Sequence, residues 1–432
     1  MTAGALATMS PWARARAILG GSAGNLIEWY DWFAYTAFSL YFAKAFFPGG
    51  DQTAQLLKTA AIFAVGFLAR PLGAWITGII ADRWGRKPAL VLSVALMCVG
   101  SLIMALTPTY ARIGVAAPVI LTLTRILQGL SVGGEYGASA TYLAEMAGRE
   151  RRGLWSSFQY VTLIGGQIAA VAVLIVLQTL MSQRQIETVG WRIPFAIGAL
   201  LALAVFWLQA RLEETPSFAA ASKGRSSGSS TWRLISDHRR ECGIVLALTA
   251  GGSLGYYCYT AYLQTFLVNT THFSRAAASQ ISLASLVVLL LLQPVGGWLA
   301  DRVGRKRVLA GGFLIGAALA WPILTGLSHA RGPGVALALA CLALVFLAGY
   351  TSVSAVVKAE LFPTNLRGLG VALPYALANA VFGGGAEYVA LTFKKAGHES
   401  GFYLYVAATM AVAGFVALMM RETRTASLIA ED

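Results

Sequence analysis

Gly78-Ile-Ile-Ala-Asp82-Arg83-Trp84-Gly85-Arg86-Lys87 is echoed by Gly297-Trp-Leu-Ala-Asp301-Arg302-Val303-Gly304-Arg305-Lys306, 219 residues further along the chain. Each copy joins two long apolar runs. A second pair of short patterns behaves the same way. Ala144-Glu145 is followed seven residues after the Glu by Arg152-Gly153, and Ala359-Glu360 is followed at the same spacing by Arg367-Gly368, an offset of 215. Two loop patterns repeated at nearly one offset predict that the first half of the chain is repeated in the second. Parallel repeats of six spans are an established transporter plan, with the ligand near the midplane between them.

The composition agrees with this frame. The chain has 432 residues, of which 57% are hydrophobic and only 12% charged. An ordinary soluble domain carries about 25% charged residues. About 20 apolar residues are needed to cross roughly 30 Å of hydrocarbon, so the supply suits twelve spans. The apolar runs fall at 18–43, 57–81, 88–107, 114–142, 155–180 and 192–210, then at 242–268, 276–299, 308–328, 333–357, 369–393 and 402–420. The expected fold is therefore an all-α polytopic membrane protein of twelve transmembrane helices in two pseudo-symmetric six-helix bundles. Residues 1–212 form the first bundle and 241–432 the second. Between them, 213–240 is a cytoplasmic linker, and its Ser222-Lys-Gly-Arg-Ser-Ser-Gly228 has a flexible composition.

The net charge of +14 would raise the question of nucleic acid in a soluble protein. Here the basic residues lie between apolar runs, so topology explains them. With both termini in the cytoplasm, 21 Lys and Arg lie inside and 9 outside, the bias expected of a multi-pass inner-membrane protein. Arg14 and Arg16 precede a full-length span, which reads as an uncleaved first helix. The four cysteines and four histidines are scattered without metal-ligand or disulfide spacing. No His/Cys/Asp constellation and no nucleotide loop is present, so neither an enzyme nor a cofactor or metal site is expected.

Three cations remain inside apolar runs: Arg70, Arg125 and Lys358. An ionisable group within a span costs at least about 2.5 kcal/mol and marks a functional site by default. Arg70 lies 12 residues before Asp82, roughly 18 Å along a helix, too deep to reach either surface. It must face a cavity or a counter-charge; it reads as a substrate anchor, with a helix-packing ion pair as the alternative. Arg125 has Gln128 on its face and Gly129 beside it. In the first run, Asn25, Glu28, Asp31, Tyr35 and Ser39 share an arc of roughly 120°. A carboxyl group withdrawn from water can take up a proton near neutral pH, which suits Glu28 and Asp31 to proton coupling. The alternative is a permanent pair with Arg70 or Arg125. Glu135 is a further proton-path candidate, or a paired residue near the cytoplasmic end.

Asp82, Arg83, Arg86, Asp301, Arg302, Arg305, Glu145, Arg152, Glu360 and Arg367 read as a conformational latch. A carboxylate ending one helix can bind the arginines that start the next and hold cytoplasmic ends together. For the basic residues alone, simple retention of the loops inside is an equal reading.

The doubled Gly-x-x-x-Asp-Arg-x-Gly-Arg-Lys resembles the signature loop of the major facilitator superfamily, and Arg125-Ile-Leu-Gln128-Gly129 resembles its Arg-x-x-Gln-Gly motif, which the family links to proton coupling. Gly24-Asn-Leu-Ile-Glu-Trp-Tyr-Asp31, Arg70-Pro71, Gly133-Gly-Glu-Tyr-Gly137, Ser157–Gln167, Lys358–Pro363 and Ala378–Leu391 are similar to the metabolite:proton symporter family, which moves citrate, 2-oxoglutarate, shikimate and proline or betaine. The resemblance implies proton-coupled import of a dicarboxylate, 2-oxoglutarate foremost, by a monomer in the bilayer. Another organic acid or dicarboxylate exchange is the alternative. It also implies that Arg70 and Arg192 clasp the two carboxylates, with Tyr35, Gln159, Gln167 and Asn379 completing the site. From the residues alone, Arg192 beside Trp191 reads as an interfacial anchor. Energetically, a dianion entering a negative-inside cell is opposed by roughly 2.3 kcal/mol per charge per 100 mV; two protons neutralise it, and a third lets the potential drive uptake.

Overall fold

The computed structural model describes residues 11–84, 86–132, 135–147, 149–210, 231–363 and 366–429. The side chains of Asp82, Arg83, Arg86, Glu135 and Glu145 and the segment 211–230 lie outside the described residues. Among the described residues, nine helical segments are long and apolar enough to cross a membrane, and two shorter apolar helices, Val91–Leu106 and Ala116–Val132, join them. The remaining span is Pro11–Phe46, whose polar face lowers its hydropathy.

In chain order the spans are span 1 (Pro11–Phe46), span 2 (Gln52–Trp84), span 3 (Arg86–Leu106), span 4 (Ala116–Val132 and Glu135–Met146), span 5 (Arg152–Ser156 and Phe158–Leu180) and span 6 (Ile193–Ala210). After them come span 7 (Arg239–Tyr259 and Ala261–Asn269), span 8 (Arg275–Val303), span 9 (Arg305–Ser328), span 10 (Pro333–Thr351 and Ser354–Glu360), span 11 (Arg367–Ala378, Asn379–Gly383 and Ala386–Lys395) and span 12 (Glu399–Met419).

Several spans are less regular than their apolar runs predict. Span 7 breaks at Thr260, whose hydroxyl turns back to the Tyr256 carbonyl at 2.6 Å. Span 11 carries a π-helical turn at Asn379–Gly383, next to three consecutive glycines. Such turns are rare and concentrate at functional sites. The last part of the expected linker is also ordered, as the helix Thr231–Asp237. Its Leu234 is buried with Phe362, Val371 and Val245, so an apolar contact holds what the polar composition left open.

Within the first half, span 1 packs on spans 5 and 6, span 2 on span 4, and span 3 on span 6. Within the second half, span 9 packs on spans 10 and 12, and span 7 on span 12. The halves meet where span 5 faces span 8 and span 2 faces span 11. These two contacts exchange under a shift of six spans, as a pseudo-twofold requires. Leu68, Leu72 and Trp75, Leu200, Leu203 and Trp207, and Val412, Phe415 and Met419 are exposed at helical spacing, a belt suited to lipid.

Spans 2 and 4 cross almost backbone to backbone. A Cβ on Gly129 would strike the Gly66 carbonyl oxygen, and one on Gly73 the Leu130 carbonyl. Close helix approach through small residues is how membrane bundles gain packing energy. Gly129→Ala is therefore expected to destabilise the bundle by about 1–3 kcal/mol through overpacking. A lowered unfolding midpoint in detergent would show this; an unchanged midpoint would mean the crossing relaxes freely.

Candidate functional site

The polar face of span 1 divides between two places. Glu28 lines a small central pocket with Asn25, Trp29, Arg70, Val132, Tyr136, Ala372, Tyr375 and Ala376. Asp31, less than one turn further on, points into the first bundle. Its Oδ1 accepts from Ser101 Oγ at 2.6 Å, and its Oδ2 accepts from the Gln128 amide. Gln128 Oε1 in turn accepts from Arg125 Nη1 at 2.6 Å. Asp31 and Arg125 are thus joined through the Gln128 side chain, and both are buried. The guanidinium of Arg125 lies over Trp32 at 4.1 Å and Tyr35 at 4.4 Å.

Arg70 is buried among rings, over Phe67 at 3.8 Å, Trp32 at 4.1 Å and Trp29 at 5.1 Å. Among the described residues, its Nε and Nη2 have no hydrogen-bond partner. Cation–π contact is worth about 2 kcal/mol or more when desolvated, and the Glu28 carboxyl group lines the same pocket. A buried guanidinium with idle donors at the wall of a pocket is equipped to take a carboxylate in its planar fork. The pocket itself is nearly shut. Its free volume is about 10 Å³, room for about one water.

None of the other expected ligands lines this pocket. Asn379, on the π-turn, donates to the Tyr375 hydroxyl at 3.4 Å. Gln167 accepts from Tyr256 at 2.7 Å across the two halves. Gln159 accepts from Ser139 at 2.6 Å, and its amide nitrogen has no partner. Tyr35 departs from expectation. Its hydroxyl donates to the Thr59 carbonyl at 2.9 Å and its ring stacks on Phe63, so it braces Arg125 rather than lining the pocket. Arg192 departs further. Its Nη2 donates to the Thr107 carbonyl at 2.9 Å and its Nη1 to the Thr188 carbonyl at 3.1 Å, and its plane stacks on Trp191 at 4.1 Å. It shares no contact residue with Arg70, so the structure does not bring the two arginines into one clasp. The end of a span beside an aromatic belt is where an arginine commonly anchors.

At one end of the bundle the expected pair of Asp301 with Arg305 is present, and further contacts cross between the halves. Asp301 of span 8 accepts from the backbone N–H of Gly153 at 2.8 Å and Leu154 at 2.9 Å, at the start of span 5 in the opposite half. Arg305 adds a bond to it at 3.3 Å. Glu360 pairs with Arg305 at 3.0 Å and, across the halves, with Arg152 at 3.6 Å. Arg367 donates to the carbonyls of Ala359, Phe362 and Leu428. Arg302 is exposed and stacks on Trp298 at 4.0 Å, outside the latch, because its position one residue past Asp301 turns it away from the interface. Deeper in, Tyr136 of span 4 and Tyr375 of span 11 stack face to face at 3.6 Å. At the opposite end of the bundle, Arg275 bonds Glu187 at 2.6 Å and Gln178 bonds Ser279 at 3.0 Å. Contacts at both ends leave the pocket between them nearly closed.

Losing one charge-assisted bond costs about 1.5–3 kcal/mol. Asp301→Ala, which loses two to backbone and one to Arg305, is expected to favour inward opening by at least about tenfold. Labelling of a cysteine placed at Ala372 on a cysteine-free background, with reagent from the cytoplasmic side, would speed up accordingly. An unchanged rate would remove Asp301 from the latch.

Sequence reasoning passed over Tyr136, Tyr375, Trp29 and Lys358 as members of this centre. Tyr136 follows directly on Gly133-Gly-Glu135, and Lys358 was already conspicuous as the third cation in an apolar run. Those were the available signals. No group of three or more His, Cys, Asp or Glu side chains suited to a metal occurs among the described residues.

The chain matches the profile of the sugar (and other) transporter family over residues 17–232 and again over 219–431. It is 48% identical over 405 residues to the alpha-ketoglutarate permease of Escherichia coli strain K12, covering 94% of this chain and 93% of that protein. It is 34% identical over 377 residues to the citrate-proton symporter of Klebsiella pneumoniae, covering 86% and 84%. The proton:xylose symporter of the major facilitator superfamily superposes with a TM-score of 0.76 at 19% identity, over 95% of this chain and 97% of that one. The twelve-span, two-half architecture is therefore that of a major facilitator protein.

Proposed function

This chain belongs to the sugar (and other) transporter family, and from that premise we propose that it is a proton-coupled symporter that imports a dicarboxylate, 2-oxoglutarate, by alternating access. The observation that carries the reading is Arg70. A buried guanidinium, two of whose nitrogens have no hydrogen-bond partner among the described residues, faces a central pocket, in a chain nearly half identical to an alpha-ketoglutarate permease. Asn379, which bonds the pocket residue Tyr375, and Gln159 and Gln167, outside the pocket lining, are the secondary ligands of this reading once the halves part. Glu28 in the pocket and Asp31 beside it carry the coupled protons, and Arg125 senses the charge of Asp31 through Gln128.

The transport cycle follows from the contacts. Outward opening parts the Arg275–Glu187 and Gln178–Ser279 bonds; inward opening parts Asp301 from span 5 and Tyr136 from Tyr375. We read residues 1–212 and 241–432 as the two moving bundles, a monomer in a bacterial inner membrane with both termini cytoplasmic. Its role is transport and not catalysis. Labelled 2-oxoglutarate should accumulate in proteoliposomes under an inward proton gradient and not without one. Uptake that instead requires a dicarboxylate inside the vesicle would establish exchange and overturn symport.

A further inference from the structure

Arg70 can hold one carboxylate, but a dicarboxylate presents two, and Arg192 is committed elsewhere. The second half of the molecule holds a buried lysine that the cycle above leaves unused. Lys358, in the short helix Ser354–Glu360 of span 10, is 1% exposed. Its Nζ donates to the hydroxyls of Tyr350 at 3.1 Å and Tyr136 at 3.4 Å. It lies over the rings of Tyr375 at 4.4 Å, Tyr136 at 5.2 Å and Tyr350 at 5.3 Å.

Three other buried cations have an acid at hand. Arg152 and Arg305 pair with Glu360, and Arg125 reaches Asp31 through Gln128. Among the described residues, no carboxylate lies within ion-pair distance of Lys358. A buried ammonium without an acid is retained only where the charge has a use. Phenol rings and hydroxyls stabilise such a cation while leaving its field uncancelled.

Two of the three cage rings, Tyr136 and Tyr375, also line the pocket that Arg70 enters. One ring comes from each half, and they stack on each other. When the halves part on that side the stack opens and uncovers Lys358 to the cavity. We propose that Lys358 is the second carboxylate anchor of the transport site. Arg70 from the first half takes one end of the substrate and Lys358 from the second half takes the other. Only a diacid bridges the halves, so the site selects a dianion over a monoanion. This rests on the dicarboxylate reading above.

The test uses the purified full chain and two ligands, 2-oxoglutarate and 2-oxopentanoate, which carries a methyl group where the distal carboxylate stands. The unmodified protein is expected to bind the diacid about 30-fold more tightly, the value of one charge-assisted bond. Lys358→Gln should weaken the diacid by about that factor and leave the monoacid within about threefold, so that selectivity disappears. Equal weakening of both acids, or no change in either, would overturn the proposal. If the glutamine variant does not survive purification, Lys358→Arg decides. It keeps the charge and should keep a preference of about tenfold or more; loss of that preference overturns the anchor. Absence of 2-oxoglutarate binding to the unmodified protein would sink the dicarboxylate reading itself, and the second anchor with it.

Discussion

Arg70→Ala is expected to reduce 2-oxoglutarate binding and gradient-driven uptake by at least about a hundredfold. Truncating one partner of a buried charged pair costs about 2–5 kcal/mol, and at 1.4 kcal/mol per decade the middle of that range exceeds two decades. The protein should remain folded. Arg70 is held by the ring faces of Trp32 and Phe67, which stay packed edge to face on each other when it is removed. Arg70→Lys should rescue little, since an ammonium supplies neither the planar fork nor the stacking on Trp32 and Phe67. Isothermal titration of the variants alongside uptake would separate binding from turnover. Near-normal affinity in Arg70→Ala would remove it as an anchor and leave it a helix-packing cation.

Asp31→Asn should uncouple transport without abolishing it. Asp31 accepts from Ser101 and Gln128 and is 2% exposed. A proton on this carboxyl group removes the charge that Gln128 relays to Arg125, and asparagine mimics that neutral state permanently. Accumulation driven by a proton gradient is expected to fall by at least about tenfold, because each proton no longer carried across 100 mV forfeits roughly 2.3 kcal/mol. Counterflow, with substrate on both sides of the membrane, should persist, since it needs no net proton movement. Accumulation that survives in Asp31→Asn would assign coupling elsewhere, with Glu28 in the pocket as the next residue to replace.

The parts of this protein that repeat or follow a simple period were legible in the chain itself. Twelve apolar runs follow from the cost of exposing backbone and charge to hydrocarbon, a local constraint that each segment satisfies alone. The duplicated Asp-Arg-x-Gly-Arg-Lys frame marked the halves. Buried cations stood out because charge in an apolar run is costly wherever the helix turns, so Arg70, Arg125 and Lys358 were visible before any fold was known. The acidic face of span 1 was legible for the same reason.

Partner choice was not legible, since it depends on which distant surfaces meet. Glu28 and Asp31 share a helix face, yet one enters the pocket and the other a bond with Ser101 and Gln128. Asp301 was readable as a helix-end carboxylate with a partner, but its shortest bonds come from backbone N–H groups of span 5, which carry no residue signature. Arg192 reaches two carbonyls at the end of its span, whereas Lys358 donates to the phenols of Tyr350 and Tyr136. Membrane class, twofold repeat and the inventory of charge in apolar runs are written in the chain, because they depend on transfer energies of single segments. Which charges are satisfied, and which remain for a substrate, follows from the packing of helices far apart in the chain.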